Sequence, residues 1–135
     1  MAFGYDAVRS ETVVLSDPGA DGTFLIWRAP SRAAKVEIIE AWGASDTEVK
    51  DGAGTAFTLR LADKGAAGTS TISYVSATLG AAGTGDWSAN VPRAFTISEG
   101  TLDGGDYLAV VYDETGTVAP KNITIGFSWV SGVGA

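Results

Sequence analysis

Asn122-Ile123-Thr124-Ile125-Gly126-Phe127-Ser128-Trp129-Val130 is the stretch that decides the fold class. Ile123, Ile125, Phe127 and Trp129 occupy every second position, and Thr124, Gly126 and Ser128 fill the positions between. Successive side chains on a strand point to opposite faces, so this spelling predicts a half-buried antiparallel strand with one apolar face. Trp129 shares its face with two isoleucines and a phenylalanine and is expected in the core. Phe57, Leu59 and Leu61 repeat the pattern against Thr58 and Arg60.

Working outward, similar segments recur along the whole chain, separated by Gly, Ala, Asp and Thr. The expected strands are Thr12–Leu15, Thr23–Arg28, Lys35–Trp42, Ala56–Ala62, Thr71–Leu79, Phe95–Ser98, Tyr107–Tyr112 and Asn122–Val130. Asp17-Pro18-Gly19 and Asp21-Gly22 form a turn signal between the first two. The third breaks alternation at Ile39, which predicts a bulge there or burial on both faces. No segment combines helical periodicity with caps, and the Ala-rich pieces are interrupted by Gly. Gly65-Ala66-Ala67-Gly68-Thr69 returns as Gly80-Ala81-Ala82-Gly83-Thr84. The nine residues of the intervening strand, at roughly 3.3 Å each, set these two loops at opposite ends of the molecule. The expectation is an all-β, single-domain antiparallel sandwich, a jelly roll of about eight strands, with an immunoglobulin-like sandwich as its rival. Residues 1–11 read as an N-terminal arm and residues 12–135 as the sandwich.

Composition narrows the chemistry. The 135 residues include no His and no Cys, so the usual nucleophile–base pairs, soft metal sites and disulfides are not to be built from them. Sixteen acidic against nine basic residues give a net charge of −7, which disfavours nucleic acid and anionic membrane surfaces as partners. Met1–Asp6 has neither the basic nor the apolar region of a secretory signal, and no apolar stretch is long enough to cross a bilayer. Assembly in a cytoplasm is expected, with final residence outside a cell open through lysis.

Asp103 and Asp106, with Asp17, Asp21, Asp46, Glu48 and Asp51, are loop carboxylates, but none has the regular spacing of a calcium loop, and turn chemistry accounts for them. Glu37 and Glu40 fall on opposite faces of one strand if alternation holds, so they are not expected to converge as an acid/base pair. No catalytic residue, metal ligand or cofactor is expected, and the chain is not read as an enzyme. Trp27 and Trp87 sit beside polar loops and are expected at an interface, together with Phe3 and Tyr5 of the arm, which is expected to lie on a neighbouring molecule.

Leu102-Asp103-Gly104-Gly105-Asp106-Tyr107-Leu108-Ala109-Val110 is the sharpest local signature. In Leu102, Gly105, Asp106, Leu108 and Val110 it resembles the Gly-Asp entry into a late strand of trimeric jelly rolls of the C1q and tumour-necrosis-factor type, and of many phage virion proteins. The Phe127-Ser128…Ser131-Gly132 ending is loosely similar too. As a whole, the small, acidic, cysteine-free all-β chain resembles the capsid decoration (cement) proteins of tailed bacteriophages. That resemblance implies a homotrimer on the outer surface of the virion, bound to the major capsid protein and tying capsomers together. The alternative is a receptor- or carbohydrate-binding head domain of a phage fibre or adhesin, using loop aromatics to stack on sugars.

Overall fold

A computed structural model of the chain describes residues 8–16, 18–49, 56–69, 73–80, 86–115, 120 and 122–131. Among them are nine strands and no helix: β1 (Arg9–Ser16), β2 (Gly22–Arg28), β3 (Lys35–Ser45), β4 (Ala56–Asp63), β5 (Ser73–Tyr74), β6 (Arg93–Ala94), β7 (Thr101–Asp103), β8 (Tyr107–Thr115) and β9 (Asn122–Ser131). Sheet A runs β1-β9-β3-β6, with β7 also on β3, and sheet B runs β2-β8-β4-β5. Every pairing is antiparallel.

The connectivity is that of a jelly roll. The pairs β1–β9, β2–β8, β3–β7 and β4–β5 are nested within one another along the chain, as in one long antiparallel ribbon. Winding that ribbon over itself sets β9 against β3 and β8 against β4, which completes both sheets. The inward residues of the two sheets make one core: Val36, Ile38, Phe57, Leu59, Leu61, Leu102, Leu108, Val110, Ile123 and Ile125 are each at most 1% exposed. Burying a side chain of this kind contributes about 1.5–3 kcal/mol.

Long strands follow the sequence closely. β9 alternates as its spelling implies, and Trp129 is 5% exposed in the core. Ile39 is a bulge: the register with β9 shifts between Ile38 and Glu40, and Ile39 itself stays exposed. Short strands depart from it. Of the expected strand Thr71–Leu79, Thr71 and Ile72 lie outside the described residues, and among the described ones Ser73–Tyr74 alone pairs with β4 as a strand. The chain then crosses towards the other sheet, with Ser76 bridged to Ile97, and returns to pair Leu79 with Leu59. The segment read as Phe95–Ser98 pairs instead at Arg93–Ala94, and Leu102 sits in a strand that alternation over three residues is too short to reveal. β1 begins at Arg9, so Arg9, Ser10 and Glu11 belong to the sandwich and not to an arm. Phe3 and Tyr5 lie outside the described residues.

Candidate functional site

The bulge at Ile39 changes the reading of the carboxylates on β3. Glu37 pairs with Val130 and Glu40 with Ser128, two residues apart on β9, so both glutamates lie on the outer face of sheet A. The expectation of opposite faces fails because the bulge inserts one residue between them. Glu40 accepts a hydrogen bond from Ser128 Oγ at 3.2 Å, and Ser128 meets Ser10 Oγ at 3.0 Å. Trp42 lies across Gly126 on the same face, where any side chain would collide with the indole.

The outer face of sheet B has another character. Leu25 and Tyr74 are exposed large side chains on it. The Arg60 guanidinium stacks on Tyr74 at 3.6 Å from the ring centre, and Arg28 lies over Tyr107 at 5.4 Å. Arg28 Nε also donates to the Gly105 carbonyl, and Arg60 Nε to that of Ser76, each at 3.0 Å. Both guanidiniums are thereby held flat against the sheet. Ala62 and Ala109 point to this face yet are fully buried, and Gly68, with φ 74°, packs closely beside Leu25 and Tyr107.

Two of the expected interface residues are accounted for. Trp87 is completely buried, stacked on Phe57 with centroids 4.7 Å apart, and its indole N–H is directed at the Phe57 carbonyl at 3.4 Å. It has no surface to offer a partner: Val49 and Trp87 exchange two backbone hydrogen bonds, and the ring belongs to the core. Trp27 is half-buried, edge-on to Phe127 at 5.2 Å and tilted against Trp129 at 5.0 Å.

The Gly-Asp corner joins three turns through backbone hydrogen bonds. Gly104 is pressed against the Ala33 carbonyl with no space for a Cβ, and Gly105 has φ 89°, a conformation suited to glycine. Ala29 N–H donates to Asp106 O at 2.8 Å, Gly105 N–H to Ala29 O at 3.0 Å, and Tyr107 N–H to Gly65 O at 3.0 Å. These bonds tie together the turn at 29–34, the turn at 63–68 and the corner at 103–106. Lys35 Nζ closes the rim with an ion pair to Asp103 Oδ1 at 2.7 Å, and this bond raises the lysine's pKa above its ordinary value.

Beneath the rim Asp63 and Asp106 are both buried at neighbouring ends of β4 and β8, and Asp63 was not singled out by the sequence. Asp63 is 3% exposed and Asp106 7%. The signal was present: the alternation that buries Phe57, Leu59 and Leu61 puts Asp63 in the same phase, just as Asp106 is in phase with Leu108 and Val110. Burial pushes the Asp63 carboxyl up to about 6, opposed by the Gly65 N–H that donates to Oδ1 at 2.9 Å and reinforced by the charges of Asp106 and Asp103.

The other loop carboxylates serve turns. Asp21 accepts the Glu114 N–H at 2.7 Å, and Asp46 accepts the Asn122 backbone and side-chain N–H groups, each at 3.1 Å. Glu48 is exposed, and Asp17 and Asp51 lie outside the described residues. Among the described residues, no group of three or more Asp or Glu is placed to hold a metal ion. Compared with protein-family models, with curated proteins and with solved structures, the chain matches none.

Proposed function

We propose that this chain is a structural virion protein, a capsid decoration (cement) protein that seats on the outside of a bacteriophage head. The observation that supports the reading is the outer face of sheet B, where Leu25, Tyr74, Tyr107, Arg28 and Arg60 are presented together. Tyrosine and arginine carry much of the binding energy at protein interfaces, and a guanidinium already fixed on a ring loses little freedom on docking. The occupant of this face is the major capsid protein, meeting the two arginines with carboxylates. The half-buried side chains at the β1–β2 side, Leu15, Phe24, Ile26 and Trp27, are covered by neighbouring copies in a closed threefold assembly. The sugar-binding alternative needs exposed loop aromatics, and Trp87, expected at an interface, is completely buried and offers its ring neither to a sugar nor to a partner.

The test is thermal breakage of expanded heads with and without the purified protein, since a ligand that binds only the assembled shell stabilises it by mass action. Decorated shells should survive to a higher temperature, and Arg60→Glu should abolish the difference while leaving the sandwich folded. Equal breakage temperatures would sink the cement reading. Native mass spectrometry reads the trimer, and a monomer both free and on the shell would remove it.

A further inference from the structure

Trp42 of β3 has no part in the docking role above. It pairs with Gly126 of β9, one step out of phase with the buried Ala41, so its side chain stands on the outer face of sheet A, where it is partly exposed. A Cβ built on Gly126 would lie almost equally near Cε2, Cζ2 and Nε1 of the indole. Those are a ring-junction carbon and the two atoms flanking it, so the glycine lies under the face of the ring and not against its edge. Covering a strand glycine occupies one face of the indole. The other face is turned away from the sheet.

The side chains around the ring are small. Along its own row the register sets Gly126 and then Thr12 on one side and Ala94 on the other. The next row holds Ser10, Ser128 and Glu40. Across β1, β9 and β3 this makes a level floor roughly 10 Å wide with the indole lying on it. Glu40 is exposed and is oriented by Ser128, whose Oγ donates to Oε1 at 3.2 Å, with Ser10 Oγ at 3.0 Å behind. Glu37 stands on the same face one row further, brought there by the bulge at Ile39. The cations of this sheet are engaged elsewhere: Lys35, at the far end of β3, pairs with Asp103, and Arg93, beside Ala94, lies over the Trp87 ring. The charge nearest the indole is therefore negative.

We propose that this face binds a neutral pyranose, stacked on the outward face of Trp42 and bonded through its hydroxyls to Glu40, Ser10 and Thr12. A pyranose carries C–H groups on its faces and hydroxyls around its rim, and an indole bordered by a carboxylate and hydroxyls meets both. The carboxylate accepts a sugar hydroxyl in a charge-assisted bond. Glu40 and Glu37 together disfavour an acidic sugar by like-charge repulsion. This site is on a sheet face and not at a loop tip. It lies on the side of the sandwich opposite the shell-docking face, so it stands or falls independently of the cement reading.

Two-dimensional 1H–15N spectra of the intact chain, titrated with the methyl glycosides of glucose, galactose and mannose, test this. At least one should move the Trp42 indole N–H and the Gly126 and Ser128 amides saturably below about 50 mM, a range suited to a single-ring ligand. The matching uronic acid glycoside should bind roughly tenfold more weakly, and Glu40→Gln should narrow that gap while weakening the neutral sugar by about tenfold. Trp42→Leu still covers Gly126 but offers no flat ring, so it should keep the spectrum of the folded sandwich and lose the response. Absence of a saturable shift with all three neutral glycosides would overturn the site. So would shifts centred away from Trp42, or full binding by folded Trp42→Leu. A response to tetramethylammonium and to no glycoside would make the ring a cation site and overturn the sugar.

Discussion

Along its β5–β6 side the sandwich is stitched shut, whereas along its β1–β2 side it stands open. On the closed side the chain between Tyr74 and Leu79 leaves sheet B, with Ser76 bridged to Ile97, the Ala77 N–H on Thr96 O at 3.0 Å and the Ser98 N–H on Val75 O at 2.9 Å. Val75 and Ser76 have no exposed surface. On the open side β1 pairs only with β9 and β2 only with β8 among the described residues. Leu15, Phe24, Ile26 and Trp27 face the core there yet are only partly covered. The two sides spend similar apolar side chains, and the difference lies in where the backbone goes. Closing a side takes short, irregular segments whose hydrogen bonds cross from one sheet to the other; long regular strands leave an edge.

The largest expected effect separates the two tryptophans that sequence reading had grouped. Trp87, stacked on Phe57 at the closed side, should cost about 3–5 kcal/mol on replacement by Ala, the range for deleting a large buried aromatic. Trp27→Ala, at the open side, should cost roughly half as much, because less of the ring leaves water on folding. Urea denaturation of both variants measures this. Equal losses would break the contrast between the sides.

Next in size is Ser76→Ala. The Ser76 hydroxyl accepts the Leu61 N–H at 3.0 Å and donates to the Ala77 carbonyl at 3.0 Å, replacing the ladder partner that β4 loses where the chain swings away. Removing it strands a buried donor, so the cost should be about 1–3 kcal/mol, well above that of an ordinary methyl-for-hydroxyl change at the surface. Hydrogen exchange at Leu61 reads the same event directly. An unchanged denaturation midpoint with Leu61 still protected would show that the crossing does not depend on this hydroxyl.

How far the sequence revealed all this follows from the same contrast. β9, β8, β4 and most of β3 were legible because a period of two sustained over many residues has one physical meaning. Even the bulge at Ile39 announced itself as a break in that period, though its consequence, Glu37 and Glu40 on one face, follows only once the extra residue is counted. The closed side was not legible. Ser76 and Ile97 face each other across one isolated bridge whose hydrogen bonds come from their neighbours, and three residues at Thr101–Asp103 carry too little alternation to mark a strand. At the corner the turn was readable from Gly104, Gly105 and Asp106, but the arrival of Asp63 beside it was not, because only the pairing of β4 with β8 brings Asp63 opposite Leu108. Trp87 failed for the same reason.

The smallest expected change in stability tests why the open side does not pair with other chains. A free strand edge invites another strand, and native sheets blunt it with inward charges or bulges. β2 has its bulge between Leu25 and Trp27, and β1 has Glu11, opposite Phe127 on the inner face, its carboxylate accepting the Trp129 indole N–H at 3.2 Å. Glu11→Gln keeps an acceptor for that indole and removes only the charge. Stability should therefore move by less than about 0.5 kcal/mol, as for most substitutions that leave packing and hydrogen bonds intact. Sedimentation velocity, in contrast, should detect association beyond the wild-type state, because an uncharged β1 edge no longer resists antiparallel pairing with its own copy. If Glu11→Gln sediments like the wild-type chain while Trp129 stays buried, the charge is not what guards the edge, and the bulge of β2 with the exposed Arg9 would have to do so.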